Sequence, residues 1–188
     1  MKEIPLTQGK VAIVDDEDFD WLNRWKWCAH HNNYHWYAVR KDCTSKKGRT
    51  VRMHRAILEH HGYNLHGLGV DHINHDGLDN RLSNLRPANQ SQNNQNRYRA
   101  KGTSRYKGVY WHSRYHKWVA YIRINSHGVH LGYFSTEEVA AKAYNRAAIK
   151  LFGEFACLNK IGGREQLGMH PYLFSPSSAR GGSFGSCP

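Results

Sequence analysis

Lys117-Trp118-Val119-Ala120-Tyr121-Ile122-Arg123-Ile124 is the stretch on which the reading of the fold turns. Successive side chains of a strand point to opposite faces. Trp118, Ala120, Ile122 and Ile124 therefore share an apolar face, and Lys117, Val119, Tyr121 and Arg123 share the other. Shorter patterns flank it. Lys107–His112 sets Val109 and Trp111 against Tyr110 and His112, and Gly128–Phe134 turns Val129 and Leu131 inward with His130 outward. The apolar face of such a sheet needs a cover. Ser135 followed by Glu138 has the spacing of a capping box, and Ala140, Ala143, Tyr144, Ala147 and Leu151 recur at helical intervals before Gly153, a helix stop. Lys142, Arg146 and Lys150 fall on the outer side. The expectation is a three-stranded antiparallel sheet packed on one helix, its polar face free for a partner.

Charge names the kind of partner. The 188 residues hold 27 Lys and Arg against 15 Asp and Glu, a formal net charge of +12. Such an excess favours a polyanion, nucleic acid before an anionic membrane surface. Residues 1–96 carry 13 basic and 11 acidic side chains, and residues 97–159 carry 11 and 3, so the excess belongs to the second half. No apolar run nears the roughly 20 residues of a membrane span, and Met1–Lys10 lacks the pattern of a signal peptide. Four scattered cysteines without a C-x-x-C argue against a zinc ribbon or a disulfide scaffold. A cytoplasmic protein with reduced thiols is expected.

Blocks from Tyr106-Lys107-Gly108-Val109-Tyr110 through Leu131-Gly132-Tyr133-Phe134 and Ala140-Ala141-Lys142-Ala143-Tyr144 to Phe152-Gly153 resemble, in order, the plant ethylene-response-factor (Apetala-type) DNA-binding domain. The resemblance implies a sheet that enters the major groove, wide enough to admit β-structure. It implies contacts from Lys107, Tyr110, His112, Tyr121, Arg123 and His130, with Arg114 and Lys117 at the first turn meeting phosphates. Several of these stand where the plant proteins have Arg or Trp, so the target sequence differs. A solvated sheet face with ordinary surface charge is the plainer alternative.

Upstream, Val70-Asp71-His72-Ile73 is a short apolar stretch holding an acid beside an imidazole. Alone the pair is weak evidence. The wider spacing Asp-His-x7-Asn-x3-Asn-Leu-x7-Asn-x2-Asn, carried by Asp71, His72, Asn80, Asn84, Leu85, Asn93 and Asn96, resembles the HNH nuclease finger, a ββα-metal module. The resemblance implies a Mg²⁺ (or Mn²⁺) ion held by Asp71 and Asn93, His72 as general base and Asn84 orienting its imidazole. Such an ion prefers oxygen ligands and keeps several waters, and a histidine with an ordinary pKa near 6.5 accepts a proton around neutrality. Alternation would send Asp71 and His72 apart, so the strand must end or twist between them. His75 is a rival base, Asn89, Asn94 and Asn96 are rival ligands, and Asn80 is expected to brace the loop. His54 either touches the phosphate backbone or is structural.

The N-terminal stretch reads as support: a strand at Val11–Val14, strands at Tyr37–Arg40 and Thr50–Met53, and Trp21, Trp25, Trp27, Trp36 and Tyr37 as a small aromatic core. Five acids in Asp15–Asp20 suit a solvated turn before a helix.

The expected organisation is α+β: a β-rich support region over 1–50, the HNH finger over 51–98, a linker over 99–104, the DNA-binding module over 105–159 and a disordered tail over 160–188. The whole is expected to be a homing-endonuclease-like (phage-type) enzyme that nicks double-stranded DNA, with no membrane or protein partner implied. A non-catalytic DNA-binding regulator with a decayed finger and an RNA-binding protein are the competing expectations.

Overall fold

The computed structural model describes residues 1–32, 34–42, 48–98, 102–125 and 127–162. The expected tail falls almost wholly outside them, as do Cys43, Cys187 and half of the expected linker.

Strands β1 (Lys2–Pro5) and β2 (Val11–Val14) form an antiparallel hairpin, Lys2 opposite Val14, whose inward residues are Ile4, Ala12 and Val14. Helix α1 (Asp16–Leu22) follows, with Asp16, Glu17 and Asp18 in its first turn, where negative charge meets the positive end of the helix dipole. Four of the five acids thus lie inside the helix rather than ahead of it, and Asp15 is its N-cap. Next come β3 (Cys28–His31), β4 (Trp36–Asp42) and β5 (Arg49–Arg52), an antiparallel sheet with β4 central. Helix α2 (Met53–His60) leaves β5 directly and buries Met53, His54, Ile57 and Leu58, one stripe at helical spacing.

Strand β6 (Gly69–His72) pairs antiparallel with β7 (Leu85–Ala88), placing Asp71 opposite Arg86 and His72 opposite Leu85. Helix α3 (Gln90–Asn96) follows one residue later, started by a capping box between Asn89 and Gln92. Leu85 joins Leu22, Ala38, Ile57 and Leu58 in one apolar cluster, so the N-terminal elements and this strand–strand–helix unit share a core. The loop between β6 and β7 is fastened to β2: Ile13 N–H donates to the Leu78 carbonyl at 2.9 Å, and Asn80 N–H to the Ile13 carbonyl at 2.8 Å. Gly77 lies against the Trp36 carbonyl and the Tyr37 ring, where a Cβ has no room.

Strands β8 (Val109–His112), β9 (Lys117–Ile124) and β10 (His127–Phe134) make the last sheet, antiparallel with β9 central, and α4 (Glu137–Phe152) covers it. Val109, Trp118, Ala120 and Ile122 face the alanines and Tyr144 of the helix, as alternation requires. Gly108, at φ +72°, brings the backbone against the Tyr144 ring, a close approach that a side chain would block.

Three details of this module depart from the sequence reading. The cap is Thr136, whose hydroxyl accepts from Val139 N–H at 3.3 Å, because the extended backbone persists one residue past Ser135. Val129 lies opposite Ile122 on the core side of the sheet, yet it is 40% exposed and joins neither apolar cluster of this module. Leu151 is also exposed, since Phe152 and Ala156 close the end of the core in its place. No described helix is long and apolar enough to cross a membrane.

Candidate functional site

Asp71, His72 and Asn93 line one cavity, together with His75, Asn96 and the rings of Tyr34 and Tyr37. Adjacent residues on a strand share it because β6 ends at His72. The chain then turns, His75 N–H donating to the His72 carbonyl at 3.0 Å, and His75 takes a positive φ of 68°.

The Asp71 carboxylate is 6% exposed and held on two sides. Arg86 Nε and Nη2 donate to its Oδ2 at 2.9 and 2.7 Å. Asn96 Nδ2 lies 3.1 and 3.0 Å from its two oxygens and 3.0 Å from the His72 carbonyl. The Asn96 amide oxygen is 3.0 Å from His75 Nε2. These groups fix the direction of the carboxylate before any ligand arrives. Asn93, three residues back on the same helix, rests its amide nitrogen against Gly69, where a Cβ would come within 3.3 Å of it.

His72 is 7% exposed and packs in a three-ring cluster. Its centroid is 5.0 Å from that of His54 at 89°, and 5.9 Å from that of Tyr37; the Tyr37–His54 separation is 5.6 Å. Burial pushes the His72 pKa below its ordinary 6.5, while the neighbouring Asn80 amide and the charges of Asp71, Asp76 and Asp79 draw it partly back. Burial likewise holds His54 well below 6.5, with repulsion from His72, Arg52 and Arg55 adding to it. Both rings are neutral at pH 7. Nε2 of His72 and Oδ1 of Asn80 are buried, and neither completes a hydrogen bond.

Asn80 braces the loop as expected, its Nδ2 donating to the Leu78 carbonyl at 3.0 Å, whereas Asn84 does not sit where the resemblance implied. Asn84 Nδ2 donates to the Asp79 carbonyl at 2.7 Å and to Asn74 Oδ1 at 3.0 Å, and its Oδ1 accepts from Asn74 N–H at 3.0 Å. It ties the loop together and makes no hydrogen bond to His72. Asn80, fully buried, is the amide beside the imidazole.

A second acid–imidazole group joins α1 to α2: His61 Nε2 lies 3.1 and 3.2 Å from the oxygens of Asp18, which also accepts from Trp21 Nε1 at 2.9 Å. This is a clasp between helices.

On the last sheet, Tyr110, His112, Lys117, Tyr121, Arg123 and His130 occupy the face away from α4, with Arg114 in the turn after β8. Val119 is buried there between its cross-strand neighbours Tyr110 and Tyr133. His112 stacks on Tyr115 at 4.7 Å, and Tyr133 packs edge-on against both, forming one aromatic cluster. Lys107 stands apart from this face. Its ammonium is turned toward α3 and donates to the Gln95 carbonyl at 2.6 Å, and burial lowers its pKa.

Arg86 and Asn96 carry much of the geometry at Asp71, and sequence spacing gave Arg86 no role. Its signal was available: in a hairpin joining residues 69–72 to 85–88, a cation opposite an acid is a stabilising cross-strand pair.

A family model of the HNH endonuclease matches residues 51–95, and one of the AP2 domain matches residues 104–154. An uncharacterized HNH endonuclease of Acanthamoeba polyphaga mimivirus is 33% identical over 156 residues, covering 82% of this chain and 77% of that protein. No solved structure is significantly similar.

Proposed function

Because the chain belongs to the HNH endonuclease family and carries an AP2 DNA-binding domain, we propose that it is a divalent-metal-dependent DNA endonuclease that nicks one strand at a site chosen by its last sheet. The observation that carries this reading is the convergence of Asp71, His72 and Asn93 on one cavity.

The donor set suits a hard cation. Asp71 offers a carboxylate oriented by Arg86 and Asn96, Asn93 offers an amide oxygen, and the orphaned Nε2 of His72 marks a polar wall still lacking a partner. Asp71 and Asn93 would hold Mg²⁺ or Mn²⁺ in a ββα-metal finger, where the ion stabilises negative charge on the phosphate and leaving oxygen. His72, neutral because buried, accepts the proton of the attacking water. Asn84 holds the loop after His72, and the Asn80 amide stands beside the ring and favours its charged form. Tyr37 and His54 pack the imidazole so that it does not swing.

The outer sheet face, from Tyr110 and His112 to Arg123 and His130, meets the major groove, with Arg114 and Lys117 on phosphates. One hydrolytic centre per chain makes nicking the elementary reaction. The pairing of cutter and reader fits a homing-type enzyme acting inside a cell or infected host.

Incubation with supercoiled plasmid and Mg²⁺ or Mn²⁺ tests this. Nicked circles are expected from the wild type and none from Asp71→Ala or His72→Ala. Undiminished nicking by Asp71→Ala would remove the metal assignment, and DNA binding without nicking under either ion would leave a regulator with a decayed finger.

A further inference from the structure

Arg86 does more than hold Asp71. Its Nη1 donates to the Glu154 carbonyl at 2.6 Å, and its guanidinium lies 3.9 Å from the centroid of the Phe155 ring. Glu154 and Phe155 belong to the 3-10 turn Gly153–Phe155 that ends α4. One planar group, 8% exposed, thus binds a carboxylate on the finger and seats itself on the DNA-binding module. A guanidinium suits this because its donors form a rigid fork while its face stacks on an aromatic ring.

Lys107 makes a second tie a few residues into the module. It reaches the last turn of α3 through the Gln95 carbonyl, and its own backbone is clamped by Asn159 at 2.6 and 3.0 Å. The interface is therefore polar and directional, unlike a pair of bodies on a string. A free tether of the length of residues 99–104 would let the modules wander by about 13 Å, roughly four nucleotide steps.

We propose that Arg86 is a positioning residue that locks the Asp71 carboxylate to the AP2 domain. Both modules then meet DNA as one body, and the cut falls at a single set distance from the bases read. The claim about the cut rests on the nuclease reading above; the claim about the joint does not.

The joint is tested first, by ¹⁵N relaxation on the full chain. Amides of the finger and of the AP2 domain should return one rotational correlation time in the wild type. Phe155→Ala, which removes the platform under the guanidinium without touching Asp71, should separate them into two. Two values in the wild type would overturn the proposal whatever the enzyme does.

The cut is tested by mapping nicks against footprints on random-sequence DNA. The wild type should nick at one offset. Arg86→Lys keeps a cation for Asp71 but cannot also reach Glu154; it should scatter the offset over about three or more nucleotides with a rate loss under about 10-fold. Arg86→Gln should scatter it and lose about 10–100-fold in rate, the usual effect of removing a group that orients a ligand. Phe155→Ala should scatter it at nearly wild-type rate. A single offset kept by both Arg86→Lys and Phe155→Ala would refute the coupling. A wild type that does not nick at all would sink the nuclease reading and leave the relaxation result to decide the joint.

Discussion

Asn96 grips Asp71: the amide nitrogen at the end of α3 lies 3.1 and 3.0 Å from the two carboxylate oxygens at the end of β6. The same nitrogen serves the His72 carbonyl, and the amide oxygen takes His75. A single side chain thereby sets the spacing between helix and strand across which a cation would be shared. Asn96→Ala should cost about 1–3 kcal/mol, because it strips partners from a buried carboxylate and a buried carbonyl. Urea denaturation reads the loss, and nicking should fall about 10–100-fold. An unchanged midpoint would mean that water replaces the amide freely.

Asn80 and Asn84 should separate by what they damage. Asn84→Ala removes hydrogen bonds to Asn74 and Asp79, so a lowered melting temperature is expected with a matching loss of nicking. Asn80→Ala removes the amide beside His72. It should shift the acid limb of the rate–pH profile downward, since that amide favours the charged ring. An unshifted limb in Asn80→Ala would mean that this amide does not act on the ring.

Acid should destabilise this fold through its buried imidazoles. His54 and His72 have folded-state pKa values below the ordinary 6.5. In the unfolded chain each takes up a proton below about pH 6.5, while the folded chain resists it. The unfolded state then binds more protons. The contribution is complete above about pH 6.5 and is lost as pH falls toward the folded-state values. Urea midpoints at about pH 7.5 and about pH 5 should show the decline, and His54→Phe should flatten it. Equal slopes in wild type and variant would assign the decline to other groups.

Arg123 and Lys107 should behave differently although both are cations of the second module. Arg123 is exposed on the outer sheet face, so Arg123→Ala should weaken DNA binding and lower the salt slope by about one phosphate contact. The Lys107 ammonium is spent on the Gln95 carbonyl, so Lys107→Met should leave the salt slope intact and loosen the joint instead. Fluorescence anisotropy at several salt concentrations distinguishes the two.

The sheet-and-helix module was legible because its cues are local. Alternation in Lys117–Ile124 and the alanine spacing in α4 report which side faces the core, and the charge excess after residue 97 named a polyanion. Local cues erred at Val129, which faces the core side opposite Ile122 yet stays exposed, and at the helix cap, which falls on Thr136 rather than Ser135. At the cavity, Asp71, His72 and Asn93 were named by the family resemblance that their spacing carries, and all three line it. Asn80 braces the loop as expected, through the Leu78 carbonyl, but Asn84 reaches Asn74 and Asp79 instead of the imidazole, because the groups an amide meets depend on how the loop is wound.

What the residues determined alone is the identity of the groups and the secondary structure that carries them, since side-chain chemistry and periodicity act over one or two turns of chain. Tertiary structure alone decided that His54 and Tyr37 would wall the His72 ring, that Arg86 would join two modules, and that Lys107 would face inward. Each of those depends on contacts between residues 12 to 68 positions apart, whose geometry follows from packing and burial rather than from any neighbour in the chain.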